Sequence, residues 1–165
     1  MDHAILPLAE EHIESFHAAV DIVARERKYL AFLEAPPLGE MAAFVRHNIE
    51  TGNPQFVAVS EDRVVGWADV IRNVGRPVSV HSGTFGMGLL PEFRDKGIGR
   101  ALMLRTIDAA FALGLTRIEL SLRESNVVAF SLYKKFGFEL EGLHHRAVCI
   151  DGRYENKISM ALLKG

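Results

Sequence analysis

Cysteine is almost absent from this sequence. Cys149 is the only one among 165 residues, so no internal disulfide can form, and a reducing compartment suits the chain. Long apolar runs are missing as well: nothing approaches the roughly 20 residues needed to cross a bilayer, and the first residues carry no basic-then-apolar secretory pattern. These absences predict a cytoplasmic protein without membrane contact. Charge of one sign is lacking too. With 19 Lys and Arg against 21 Asp and Glu, the formal net charge of −2 offers no broad basic face for nucleic acid. No repeat, low-complexity tract or interdomain linker interrupts the sequence. The expectation is one domain over residues 1–165, long enough to bury a real core.

What is present is a regular alternation of strand and helix signals. A short strand near Ala4–Leu6 is followed by a helix over about Glu10–Tyr29, with Ile13, Phe16, Val20 and Val23 at helical spacing. Pro36 and Pro37 break it, and a second helix covers about Glu40–Glu50. Gln55–Ser60 and Val64–Ile71 read as a hairpin around Glu61–Arg63, and a long strand runs from Val78 to Leu90. A helix over Gly97–Leu113 comes next, then an alternating strand, Thr116–Leu122, and a short helix, Asn126–Phe136. Phe138–Ile150 and Arg153–Leu163 form a last hairpin around Asp151-Gly152. The sum is an α/β fold: a mixed, mostly antiparallel sheet of about seven strands, one parallel strand–helix–strand crossover, and helices on both faces.

The most informative stretch is Gly86–Arg105. An apolar strand containing Gly86 and Gly88 is stopped by Pro91. The charged segment Glu92–Lys96 then turns, and Gly97-Ile98-Gly99-Arg100 opens a helix. Free amides and the positive end of the macrodipole converge at such a helix start, and Arg94, Lys96 and Arg100 add formal charge there. The segment reads as a pyrophosphate cradle, with a plain glycine turn as the alternative. Glycines inside a buried-looking strand mark a bulge or a ligand lying against the backbone.

Two blocks carry a family resemblance. Arg94-Asp95-Lys96-Gly97-Ile98-Gly99, approached by Leu89-x-Pro91-x-x-Arg94, resembles the R/Q-x-x-G-x-G/A motif of the GNAT superfamily of N-acetyltransferases. Asn126, Ala129, Leu132, Tyr133, Gly137 and Phe138 fall as in its N-x-x-A-x-x-L-Y-x-x-x-G-F signature, and the matched region runs from about Thr84 to Leu140. The resemblance implies acetyl-CoA as co-substrate and direct transfer to an amine. It places the pyrophosphate on Arg94, Asp95, Lys96, Gly97, Ile98, Gly99 and Arg100. The pantetheine arm would lie along the backbone of Met87 and Leu89, where a bulged strand splays from its neighbour, with the Leu89 amide polarising the thioester carbonyl.

The same resemblance makes Tyr133 the acid that protonates the departing sulfur and Asn126 a holder of the cofactor arm. From the residues alone, Asn126 is a helix cap and Tyr133 a core aromatic, and each can serve both ends. The base is less defined. Where several family members carry a glutamate, this chain has Ser121; Glu119, His81 and a water relay are the alternatives, His81 because imidazole titrates near neutrality. No metal is expected, since His144 and His145 are adjacent in a strand and point apart. Cys149, in an apolar run, reads as a buried thiol rather than a nucleophile.

Trp67, Asp69 and Arg72 are candidate lining for the acceptor pocket. Gly152-x-Tyr154-x-Asn156-x-x-x-Met160 resembles bacterial members acting on amino acids, small amines or protein N-termini. A homodimer is a further possible partner, and a non-catalytic acyl-CoA-binding sensor or an empty structural module are the competing readings.

Overall fold

The computed structural model describes residues 2–165. Its strands are β1 (Ala4–Pro7), β2 (Gln55–Ser60), β3 (Arg63–Arg72), β4 (Ser82–Leu89), β5 (Arg117–Arg123), β6 (Glu139–Ile150) and β7 (Arg153–Leu163). Its helices are α1 (Ile13–Arg25), α2 (Leu38–Thr51), α3 (Ile98–Ala112) and α4 (Val127–Phe136). The strands form one seven-stranded sheet in the order β1-β2-β3-β4-β5-β7-β6. Every pairing is antiparallel except β4 with β5, as the sequence predicts.

Most boundaries lie within a few residues of the sequence reading, and the exceptions have local causes. The first helix stops at Arg25, because Arg27 adopts φ 62° and turns the chain away. The strand expected from Val78 begins only at Ser82. Pro77 opens a 3₁₀ turn over Pro77–Ser79, and the Ser82 hydroxyl closes it by donating to the Ser79 carbonyl at 2.8 Å. The β2–β3 hairpin turns on Glu61 and Asp62, both with positive φ, a geometry more usual for Asn-Gly.

Strand alternation sorts the sheet into two faces. Trp67 meets Phe16 of α1 edge-on, with ring centroids 5.8 Å apart, so Trp67 and Asp69 of β3 face α1. A Cβ on Gly66 would touch Leu102 of α3, so Gly66, Ala68 and Val70 face the other helix layer. On the α3 side Ile98, Leu102, Met103, Ile107 and Phe138 are buried; on the α1 side Phe16, Val20, Val23 and Val45 are.

The sheet opens in its middle. β4 and β5 pair only from Ser82↔Arg117 to Thr84↔Glu119, while β4 stays with β3 as far as Leu89↔Gly66 and β5 stays with β7 as far as Arg123↔Lys157. Beyond Thr84 and Glu119 the two central strands diverge, and their facing backbone edges have no strand between them. The expected bulge is not found: β3 and β4 pair with no shift of register.

Candidate active site

The gap between β4 and β5 gathers some of the sequence-predicted residues and not others. The Leu90 amide donates to Val65 of β3 at 2.8 Å, so by alternation the Phe85, Met87 and Leu89 backbone groups point the other way, into the gap. The side chains of Met87 and Leu89 face α3. A Cβ on Gly99 would lie 3.2 Å from the Met87 methyl, and one on Gly66 would collide with Leu89.

At the end of β4 the chain turns through Pro91–Phe93 into α3. Asp95 at φ 61° and Gly97 at φ 82° set the turn, and nothing lies within 4 Å of where a Gly97 Cβ would be. Gly97 caps the helix without a side-chain hydrogen bond, and the first turn holds no acidic residue. The first helical bond is Ala101 N to the Gly97 carbonyl at 3.1 Å, which leaves the Ile98, Gly99 and Arg100 amides without intrahelical partners. Lys96 and Arg100 are exposed beside them. An uncapped helix start with adjacent cations fits a diphosphate.

Arg94 is not one of the free cations. Its guanidinium forks onto both oxygens of Glu26, at 2.9 and 2.6 Å, while Nε donates to the Leu89 carbonyl at 3.0 Å. The plane also lies over the Tyr29 ring, 4.9 Å from its centroid. Glu26 holds the guanidinium more firmly protonated than usual. Arg94 therefore staples the end of α1 to the turn, and the charge expected from it is neutralised within the protein.

Tyr133 flanks the gap from the α3 side. It is 8% exposed and packs edge-on against Phe85 of β4, with centroids 6.1 Å apart, and against Phe138 at 5.7 Å. Burial pushes its phenol well above the usual value, so it stays a proton donor at neutral pH. Asn126 is the N-cap of α4, its side-chain oxygen accepting from the Ala129 amide at 3.3 Å. Both residues occupy the structural places that their sequence context suggests, and Tyr133 packs against β4 where that strand borders the gap.

The base candidates separate. His81 is not on β4: it sits in the exposed turn before it, eight residues ahead of Leu89, roughly 25 Å along an extended chain. Its carbonyl accepts from the Thr116 and Arg117 amides at 2.9 and 3.2 Å, which ties it to the closed end of the sheet opening. Glu119 pairs in register with Thr84, at the point where the strands part. Its carboxylate is engaged by Arg117 Nε at 3.1 Å, and Arg117 is itself forked onto Glu141 at 3.0 and 2.6 Å.

A third carboxylate, named from sequence only as pocket lining, stands closer. Asp69 pairs in register with Gly86, and its Oδ1 lies 3.6 Å from where a Gly86 Cβ would be. Burial pushes its carboxyl up to about 7. Its sequence signal was a lone acid in the apolar run Val64–Ile71. Gly88 is explained differently from the sequence reading. A Cβ there would lie 2.3 Å from the Trp67 ring, so this glycine makes room for an indole rather than for a ligand. Arg72 leaves the pocket altogether, its guanidinium donating to Asn53 Oδ1 at 3.0 Å and to the Thr51 carbonyl.

Beyond the end of β5, a cavity of about 840 Å³ opens between the α1–α2 loop and the last hairpin, lined in part by Arg27, Arg123, Glu124, Asp151, Arg153 and Glu155. Arg123, 6% exposed, fixes that loop by donating to the Arg27 and Leu30 carbonyls at 2.8 and 2.7 Å. Asn156, also on the cavity wall, accepts from the Arg146 amide and supports the irregular pairing between His144 and Val148. Cys149 is exposed on β6, not buried as its apolar neighbours suggest, because β6 is the sheet edge. Among the described residues no helix is long and apolar enough to cross a membrane.

A sheet split beside an uncapped helix start defines a fold and site of the acyl-CoA transferase kind. Residues 16–138 match the profile of the acetyltransferase (GNAT) family, and the chain belongs to that family. It is 30% identical to the L-amino acid N-acetyltransferase AaaT of Escherichia coli over 150 residues, covering 90% of this chain and 92% of that protein. It is 32% identical to the N-alpha-acetyltransferase RimI of Mycobacterium tuberculosis over 111 residues, 67% and 68% of the two chains. The fold superposes on the Sinorhizobium meliloti phosphinothricin acetyltransferase in complex with AcCoA at a TM-score of 0.92, with 23% identity over 100% of this chain and 90% of the other. A GNAT acetyltransferase from Streptococcus pneumoniae gives 0.91, with 21% identity over 99% and 100%. The protein is an acyl-CoA-dependent N-acetyltransferase.

Proposed function

We propose that this enzyme moves an acetyl group from acetyl-CoA directly to the primary amine of a small molecule, an amino acid or a protein N-terminus. The observation that carries this reading is the divergence of β4 from β5 beside the uncapped start of α3, with Tyr133 on its flank. Coenzyme A brings an activated acyl group and a thiolate leaving group; the rest of the chemistry falls to the chain.

The Ile98, Gly99 and Arg100 amides, with Lys96 and Arg100, hold the diphosphate. Met87 and Leu89 offer backbone groups to the pantetheine arm as a missing strand would. Because the Leu89 carbonyl is already taken by Arg94, its contribution is the amide, aimed at the oxygen where charge develops. Tyr133 delivers a proton to the sulfur, and Asn126 holds the arm at the start of α4.

The cavity beside the last hairpin supports a small zwitterionic acceptor. Its charged lining is balanced, with Arg27, Arg123 and Arg153 against Glu124, Asp151 and Glu155. A polyamine would call for an excess of acid there. The AaaT relative, named for L-amino acids, points the same way.

The test is thiol release from acetyl-CoA across a panel of L-amino acids, alkylamines, polyamines and N-terminal peptides, beside calorimetry with CoA. The expectation is CoA binding and the highest kcat/KM among amino acids. No affinity for CoA, or no thiol release with any amine, overturns the reading.

A further inference from the structure

Resting on the acetyl-transfer reading above, we propose that Asp69 is the general base, its carboxylate taking a proton from the acceptor ammonium across the side-chain-free face of Gly86. Four observations converge on it. Asp69 sits on β3, facing the α1 layer, in register with Gly86 of the strand that borders the gap. Gly86 has no side chain, and only the Asp69 oxygen lies within 4 Å of where its Cβ would be, so a slot free of side chains leads from Asp69 over β4, one strand spacing of about 4.8 Å away, toward the gap beyond it. The slot is bounded by the Trp67 indole over Gly88 on one side and by Thr84 on the other. Among the described residues no cation or hydrogen-bond donor engages the carboxylate, unlike Glu119, which Arg117 holds.

The surroundings of Asp69 explain why it can both keep and yield a proton. The buried residues of α1 are Ile13, Phe16, Ala19, Val20, Val23 and Ala24, and those of α2 are Met41, Ala42, Val45 and Asn48, none of them titratable; the half-buried His17 and Asp21 of α1 are engaged by the Pro36 carbonyl and the Ala35 amide. On β2 its cross-strand partner is Gln55, whose buried amide has no hydrogen-bond partner. Thr84, Gly86 and Gly88 are its neighbours on β4. Across β4 on that face lie Glu119 and Arg117, already paired with each other. A buried setting with no counter-ion raises the basicity of a carboxylate, and here burial pushes the carboxyl up to about 7.

The step balances as follows. Asp69 removes one proton from the ammonium and passes it to solvent. The freed lone pair forms the nitrogen–carbon bond, and the carbon–sulfur bond breaks with its electrons on sulfur. Tyr133 supplies the sulfur with a proton and regains one from the acylated nitrogen through water. The products are the amide, the free thiol and one released proton.

The experiment compares wild type with Asp69→Asn, using acetyl-CoA and the best amino acid from the amine panel, from pH 5.5 to 9.5. A lost base is replaced by solution deprotonation of the acceptor. The variant's kcat/KM is therefore expected to fall at least about a hundredfold at pH 7, and the deficit to shrink below about tenfold at pH 9.5. A deficit that is the same at every pH, or below about threefold at pH 7, overturns the proposal. A second measurement needs no variant: the Asp69 carboxyl, followed by carbon NMR in the wild-type protein, titrates near 7 if the proposal holds and below 5 if it does not. Failure of the wild type to bind CoA or release thiol would instead sink the acetyl-transfer reading.

Discussion

The guanidinium of Arg94 and the carboxylate of Glu26 meet in a two-pronged ion pair, 68 residues apart in the chain, with the two side chains only 27% and 23% exposed. The pair joins the end of α1 to the turn that opens α3, which makes the turn's shape depend on the α1 layer. Glu26→Gln is expected to cost about 1–3 kcal/mol, because Arg94 keeps its burial but loses its charge partner. A thermal midpoint lowered by about 3–8 °C, read by calorimetry, is the corresponding result. An unchanged midpoint would mean that the turn stands without the staple.

Because Glu26 already neutralises Arg94, the proposed electrostatic hold on a diphosphate would rest on Lys96 and Arg100. Lys96→Ala and Arg100→Ala are each expected to weaken CoA binding about three- to tenfold and to flatten its salt dependence. In Arg94→Ala, affinity falls through a loosened turn and the salt dependence keeps its slope. Titration calorimetry at two ionic strengths separates the two behaviours.

Tyr133→Phe removes a hydroxyl without opening the cluster around Phe85 and Phe138. Turnover should slow at least about tenfold, with CoA affinity retained. Equal rates would take Tyr133 out of the proton path and leave it as packing alone.

Asp69 makes stability fall as pH rises. Its folded-state carboxyl titrates at about 7, above the ordinary 3.8, so the folded chain holds a proton that the unfolded chain has released between those values. The stability this gives is fully present below 3.8 and lost as the pH passes through 7. Asp69→Asn should therefore melt like wild type near pH 4 and several degrees higher than wild type above pH 7.5, about 3–8 °C. Identical melting curves at both pH values would show that Asp69 titrates normally.

Gly88→Ala tests the indole contact. A Cβ lying 2.3 Å from Trp67 forces the ring off β4 and should destabilise the fold by about 1–3 kcal/mol. Gly86→Ala meets only the Asp69 oxygen at 3.6 Å, so it should fold normally while obstructing the slot, which shows as a raised KM for the acceptor. Denaturant melts and steady-state kinetics on the two variants distinguish the roles of the two glycines.

The amino-acid sequence by itself determined the features that are local. A strand ending at a proline, a glycine turn and an uncapped amphipathic helix are written in consecutive residues, and so is the asparagine cap seven residues before Tyr133. Strand count and the parallel crossover follow from the same short-range periodicities. Tertiary structure decided everything that depends on which side chains meet across strands and layers. It spent the charge of Arg94 on Glu26, set Trp67 over Gly88, put His81 at the closed end of the sheet opening and left Asp69 unpaired beside Gly86. Cross-strand register and helix-on-sheet packing fix those neighbours, and both are properties of residues far apart in the chain.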